Sequence, residues 1–128
     1  MNYQNSTTAN DLIEQVTADK LDAIISQNRF NIIDVRSPKA IQNQGNIPGA
    51  INLPFETVEE GLTTLIKNGS HSNFKPGNPF LFCCTGGVMS YMAAIKAQKN
   101  GLDNLYNLEG GHAAWIAQSK TRTSNDAA

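Results

Sequence analysis

The chain has 128 residues, 40% of them hydrophobic and 16% charged, with a formal net charge of −1. Those values describe a single globular domain with a real core, and they exclude a disordered chain and an electrostatic reason to bind nucleic acid or a membrane surface. No apolar stretch approaches the roughly 20 residues that span a bilayer, and the polar start Met1-Asn2-Tyr3-Gln4-Asn5 does not read as a signal peptide, so the expected location is cytoplasmic.

Residues 1–10 are polar and aperiodic and are expected to form a flexible tail; 11–118 read as one domain, and 119–128, without an apolar face, as a disordered C-terminal tail. Residues 11–16 suggest a short strand or turn. Thr17 is a suitable N-cap for a helix over 18–27 whose apolar face is Leu21, Ile24 and Ile25. Residues 30–35 predict a strand. The two charges at its end, Asp34 and Arg36, read either as an ordinary surface pair or as a support for neighbouring loops. Pro38 suits the first turn of a short helix that ends near Gln44, and Gly45 breaks it. Ile47-Pro48-Gly49-Ala50 is a turn, 50–53 a short strand, and 55–67 a helix with Val58, Leu62 and Leu65 inside. Residues 68–78 form a polar loop whose His71 is expected to be solvated.

The run 79–83 is short, aromatic-rich and bounded by Gly-Asn-Pro, as a buried strand should be. Helix-forming sequence resumes at Ser90. Val88, Met92 and Ile95 fall at i, i+4 and i+7 and predict a stripe facing the core, with Lys96 and Lys99 outside it. Asn100-Gly101 stops that helix, 102–108 is a last strand, and Gly110-Gly111 turns into a final helix anchored by Trp115. His112 follows the glycine pair and is left outside the candidate site. Strands alternate with helices throughout, which argues for an α/β fold, a parallel sheet of about five strands with helices on both faces.

The two cysteines, Cys83 and Cys84, are adjacent, so on a strand they point to opposite faces. They make neither a disulfide framework nor, with only His71 and His112 to help, a structural zinc site. Cys83 reads as a small buried hydrophobe. Cys84 opens the tight loop Cys84-Thr85-Gly86-Gly87-Val88-Met89 between strand and helix. A strand feeding a helix aims free backbone N–H groups at one point, and two glycines let the chain curl so that those groups converge. A sulfur placed there sits in a field that stabilises negative charge. The loop therefore suits attack on, or storage of, a group carrying negative charge.

Cys84-x-x-Gly87-x-Met89-Ser90 resembles the active-site loop of single-domain rhodanese-like sulfurtransferases. Three further segments resemble the family in order and spacing: Ile32-Ile33-Asp34-Val35-Arg36-Ser37-Pro38, Gly45-Asn46-Ile47-Pro48-Gly49-Ala50-Ile51-Asn52-Leu53-Pro54, and Leu108-Glu109-Gly110-Gly111-His112-Ala113-Ala114-Trp115. The resemblance runs from about Thr17 to Gln118 and implies the three-layer rhodanese-like fold. It also implies a thiosulfate:cyanide type of transfer. On that resemblance Cys84 is expected to be the catalytic nucleophile and to carry a persulfide, Thr85, Gly86, Gly87, Val88, Met89 and Ser90 to form the anion-binding loop, and Asp34 and Arg36 to give structural support. Ser90 is expected to cap the helix and donate towards the sulfur. No metal or organic cofactor is implied. The partners are a small sulfur donor and a thiol or cyanide acceptor, or a protein persulfide, with no nucleic acid and no membrane.

Two departures stand out. Asn46 replaces the family's usual His and is read as structural. Met89 stands where many members carry Arg, which predicts weak use of thiosulfate and preference for a less charged donor. A cysteine phosphatase or arsenate reductase would need Arg six residues after the cysteine, where this chain has Ser90. A catalytically quiet rhodanese-like binding or regulatory module is the alternative.

Overall fold

A computed structural model describes residues 13–69 and 71–127, with side chains through residue 119. The 1–10 tail lies outside the described residues. The elements are β1 (Ile13–Val16), α1 (Leu21–Gln27), β2 (Asn31–Asp34), α2 (Pro38–Gln44), β3 (Ile51–Asn52), α3 (Val58–Asn68), β4 (Phe80–Cys83), α4 (Val88–Lys99), β5 (Leu105–Leu108) and α5 (Gly111–Ala127). Single 3-10 turns at Ala18–Lys20 and Phe55–Thr57 lead into α1 and α3.

The five strands form one sheet in the order β1-β5-β4-β2-β3, and every pairing is parallel. Alternation along the central strands divides the core in two. Ile33, Phe80 and Phe82 pack with Val58, Leu62 and Leu65 of α3 and with Ala93, Ala94 and Ala97 of α4. Ile32, Leu81 and Cys83 face the other way, onto Leu21 and Ile24 of α1, with Trp115 of α5 at the margin. The result is the three-layer architecture expected, with both sheet faces covered as an all-parallel sheet requires. Among the described residues no helix is long and apolar enough to cross a membrane.

Several local expectations change. Of the stripe predicted for α4, Ile95 packs on the core but Val88 is 71% and Met92 47% exposed. The buried stripe is Ser90, Ala93, Ala94 and Ala97. These positions also fall at i, i+3, i+4 and i+7, and their small side chains let the helix backbone approach the sheet where larger ones would hold it off. Thr17 precedes its helix but sends its hydroxyl to the Asp19 carboxylate rather than to a backbone amide. Trp115 is half-buried: its indole N–H donates to Asp22 Oδ1 (2.9 Å) while its ring meets the second core. The backbone of α5 runs as helix to Ala127, through a stretch expected to be a disordered tail; that stretch contains neither Gly nor Pro to stop it.

β2 and β4 are neighbours, yet the chain leaves β2 towards β3 on one side and β4 towards β5 on the other. Their carboxyl ends therefore flank the switch point of the sheet, where α/β folds open a crevice. Asp34 pairs in register with Cys83, so the segments Val35-Arg36 and Cys84-Thr85 leave the sheet side by side.

Candidate active site

Cys84 is the first residue beyond β4, and its side chain is turned to the α4 face. It is 4% exposed, at the base of a cleft of about 380 Å³ lined by Val35, Arg36, Ser37, Ala40, Glu56 and the loop from Cys84 to Met89. The amides of Gly87 and Ser90 donate to Cys84 Sγ at 3.1 and 3.3 Å. Both belong to the start of α4, so the sulfur sits on the helix N-terminus with the positive end of the helix dipole behind it.

Two glycines make that geometry possible. Gly87 adopts φ +94°, and a Cβ there would lie 2.9 Å from the Gly110 amide nitrogen. Gly111 adopts φ +66°, and a Cβ there would lie 2.5 Å from the carbonyl oxygens of both Cys84 and Thr85. The start of α5 thus presses directly on the loop. The amides of His112 and Ala113 donate to those same carbonyls at 2.8 and 3.0 Å. Asn107 of β5 adds a clamp from below: its Nδ2 donates to Gly87 O and to Gln15 Oε1, both at 3.0 Å.

The neighbouring loop is held differently. The Arg36 guanidinium and Asp34 carboxylate form an ion pair at 2.7 Å with each side chain 2% exposed. Arg36 also donates to Gly45 O (3.0 Å) and Gln44 Oε1 (3.3 Å), and Gln44 Oε1 accepts from Thr85 Oγ1 (3.0 Å). Asn52 Nδ2 donates to the carbonyls of Asp34 and Arg36 at 2.8 Å each. A charge buried to this degree is stable only when paired and fully hydrogen-bonded, and this pair ties β2, α2 and the cysteine loop together.

The candidate residues named from the sequence gather around one point. Cys84 and the amides of Gly87 and Ser90 form the sulfur nest; Thr85, Gly86, Val88 and Met89 form the rim, with Met89 42% exposed. Ser90 meets the sulfur through its amide: Gly87 occupies the N-cap, and the buried Ser90 hydroxyl has no hydrogen-bond partner among the described residues. Arg36 lines the cleft beside the nest, paired with the buried Asp34. Asn46 is exposed and does not line the cleft, and His71 is exposed in its loop. Asn107, Gln44, Asn52 and Gly111 were missed. The signal available for Asn107 was a polar residue inside an otherwise apolar strand.

Cys83 and His112 mark the interior side. Burial, then the nearby Asp34 carboxylate, push the Cys83 thiol well above its ordinary range. Burial and Arg36 lower the His112 imidazole, with Asp34 opposing. Among the described residues its Nε2 has no hydrogen-bond partner, and its ring lies edge-on to Trp115 at 5.8 Å. A larger hollow of about 590 Å³ lies at the other end of the sheet, beside Phe80 and Leu102. It contains no cysteine or histidine, so chemistry rather than size locates the site.

The rhodanese-like domain family model matches residues 17–118. The chain is 30% identical over 105 residues to the mouse thiosulfate sulfurtransferase/rhodanese-like domain-containing protein 3, covering 79% of this chain and 67% of that one. It is 28% identical over 102 residues to thiosulfate sulfurtransferase GlpE of Shewanella oneidensis, covering 80% and 91%. The solved structure of human single-domain sulfurtransferase TSTD1 superposes with a TM-score of 0.67 at 25% identity, covering 80% of this chain and 95% of that one. With the sheet order, the cysteine loop and these matches in agreement, the chain belongs to the rhodanese-like sulfurtransferase family.

Proposed function

We propose that the protein transfers a sulfane sulfur from a donor to a thiophilic acceptor through a persulfide on Cys84. The observation that carries this reading is the sulfur itself, at the base of a cleft at the switch point, accepting two backbone N–H bonds at a helix N-terminus. The thiolate attacks the outer sulfur of the donor. An S–S bond forms to Cys84 as the donor's own S–S bond breaks, and the donor leaves as sulfite or a thiolate. A cyanide or thiol acceptor then takes the outer sulfur and restores the thiolate. This is covalent catalysis with one nucleophile. Preorganised amides stabilise the charged sulfur at each stage and need no reorganisation during the reaction.

The rim argues for the donor class. Met89 offers no charge to the anionic end of thiosulfate, and the Arg36 guanidinium is committed to Asp34, Gln44 and Gly45. A less charged donor, an organic or protein persulfide, fits such a cleft better than a dianion does.

Intact mass after brief incubation with thiosulfate or glutathione persulfide tests the reading, on wild type and Cys84→Ser. A gain of one sulfur, about 32 Da, that reverses with cyanide and is absent in the variant is the expected result. No adduct from any donor on folded, reduced protein would replace it with a catalytically quiet binding module.

A further inference from the structure

The charge around the Cys84 cleft is asymmetric. Two charged side chains line it, Arg36 and Glu56. Arg36 is neutralised by Asp34 and buried with it. Glu56 is exposed in the 3-10 turn Phe55–Thr57, and among the described residues its carboxylate has neither an ion pair nor a hydrogen bond. Lys96 Nζ sits over the neighbouring Phe55 ring, 4.4 Å from its centroid, and forms no ion pair with Glu56. The turn is fixed in place, because the Phe55 amide donates to Val35 O at 2.9 Å and the Leu53 amide to Asp34 O at 3.0 Å. Glu56 is therefore held on the cleft wall by the very loop that flanks Cys84. The same cleft is also lined by the exposed apolar side chains of Val88 and Met89. Among the described residues that line the cleft, a donor meets one carboxylate without an ion pair and no positive side chain that is not already paired.

We propose that Glu56 sets the charge specificity of the sulfur donor. It favours hydropersulfides whose carrier bears a positive charge near the sulfur, the aminothiol class, and disfavours dianions such as thiosulfate. This rests on the sulfur-transfer reading and names its substrate class. The step balances without a redox partner. The Cys84 thiolate attacks the terminal sulfur of R–S–SH, the new Sγ–S bond forms as the donor S–S bond breaks, the proton stays on the transferred sulfur, and the donor leaves as the thiolate R–S⁻. With an aminothiol, the carrier's ammonium faces Glu56 as negative charge develops on the departing sulfur. With thiosulfate, two negative charges approach the carboxylate together. At a separation of about 8 Å near a protein surface, each unit of donor charge is worth roughly a three- to tenfold change in productive encounter.

The test measures the rate at which Cys84 gains one sulfur from three donors: thiosulfate, cysteamine hydropersulfide, and, as reference, the hydropersulfide of 2-mercaptoethanol, which lacks the ammonium group. Wild type, Glu56→Gln and Glu56→Lys are compared, so the donors' intrinsic reactivities cancel. Relative to the reference, Glu56→Gln should slow the cationic donor and speed thiosulfate. The cationic-to-dianionic rate ratio should fall by about tenfold or more, and further in Glu56→Lys. Added salt should speed thiosulfate loading more in wild type than in Glu56→Gln. A ratio that stays within about twofold in both variants, while all donors load Cys84, overturns the role of Glu56 and leaves sulfur transfer standing. No loading from any donor in wild type overturns both.

Discussion

Two loops leave the sheet side by side at the switch point, and they are built on opposite principles. The loop after β2 is held by charged side chains: a buried Arg36–Asp34 pair whose remaining donors reach Gln44 and Gly45. The loop after β4 is held by main chain: amides of Gly87 and Ser90 on the sulfur, amides of His112 and Ala113 on the loop carbonyls, and glycines that permit the contact. The buried charged pair near the site thus serves as scaffold, while the Cys84 sulfur is served by uncharged dipoles. A salt bridge fixes geometry where nothing must change. Backbone dipoles would suit a centre whose bonding changes, as the proposed sulfur transfer requires of Cys84, because they stabilise charge without offering a counter-ion that could be displaced.

Breaking the first loop should have the largest effect. Asp34→Ala leaves the buried Arg36 guanidinium without its carboxylate and should cost about 3–5 kcal/mol, read from the urea midpoint. The fraction that remains folded should still load sulfur. Gly111→Ala strikes the second loop, driving a methyl group into the carbonyls of Cys84 and Thr85 at a positive φ. We expect about 2–3 kcal/mol of destabilisation. Sulfur loading should also slow by tenfold or more, since displacing the nest by about 1 Å can cost up to a hundredfold in rate. A variant that lost stability but kept the full loading rate would show the nest to be independent of α5. Met89→Arg adds to the rim the charge that both loops withhold, and should improve kcat/KM for thiosulfate by about tenfold, in line with one charge-assisted hydrogen bond; an unchanged apparent thiosulfate affinity would rule out the rim as the cause of donor choice.

The smallest effect is on pH dependence. Burial and Arg36 hold folded His112 below its ordinary value. The unfolded chain therefore takes up the proton first as pH falls. The stability contributed by neutral His112 is fully present above the unfolded imidazole value, about 6.5, and is lost as pH falls through the lower folded value. His112→Gln should flatten the difference between urea midpoints measured at pH 7.5 and 5. A slope equal to wild type would assign the acid sensitivity elsewhere.

Much of this was legible in the sequence. Hydrophobic runs bounded by Gly, Pro and Asn marked the strands, Pro38 and Gly45 framed α2, and the glycines after Cys84 announced a loop able to gather amides. What periodicity could not resolve was α4. Two overlapping stripes at helical spacing were available, one of Val88, Met92 and Ile95 and one of Ser90, Ala93, Ala94 and Ala97, and hydrophobicity chose the larger residues. The sheet chose the smaller ones, because close approach of the helix depends on volume as well as on polarity. Asn107 and Gln44 escaped for a related reason: their partners, Gly87 O, Thr85 and Arg36, lie on other elements, and no local pattern connects them.

The alanine face of α4 has a consequence for how such a protein can change over generations. The small residues that fasten the helix to the sheet lie on one side, and Val88, Met89 and Met92, which front the solvent and the cleft, lie on the other. Substitutions on the outer side leave the fastening untouched and do not displace the amides beneath the sulfur. If the exposed side of α4 contributes to donor choice as proposed, that contribution and the fastening of the helix lie on separate sides, so the rim can vary by point changes away from the alanine face.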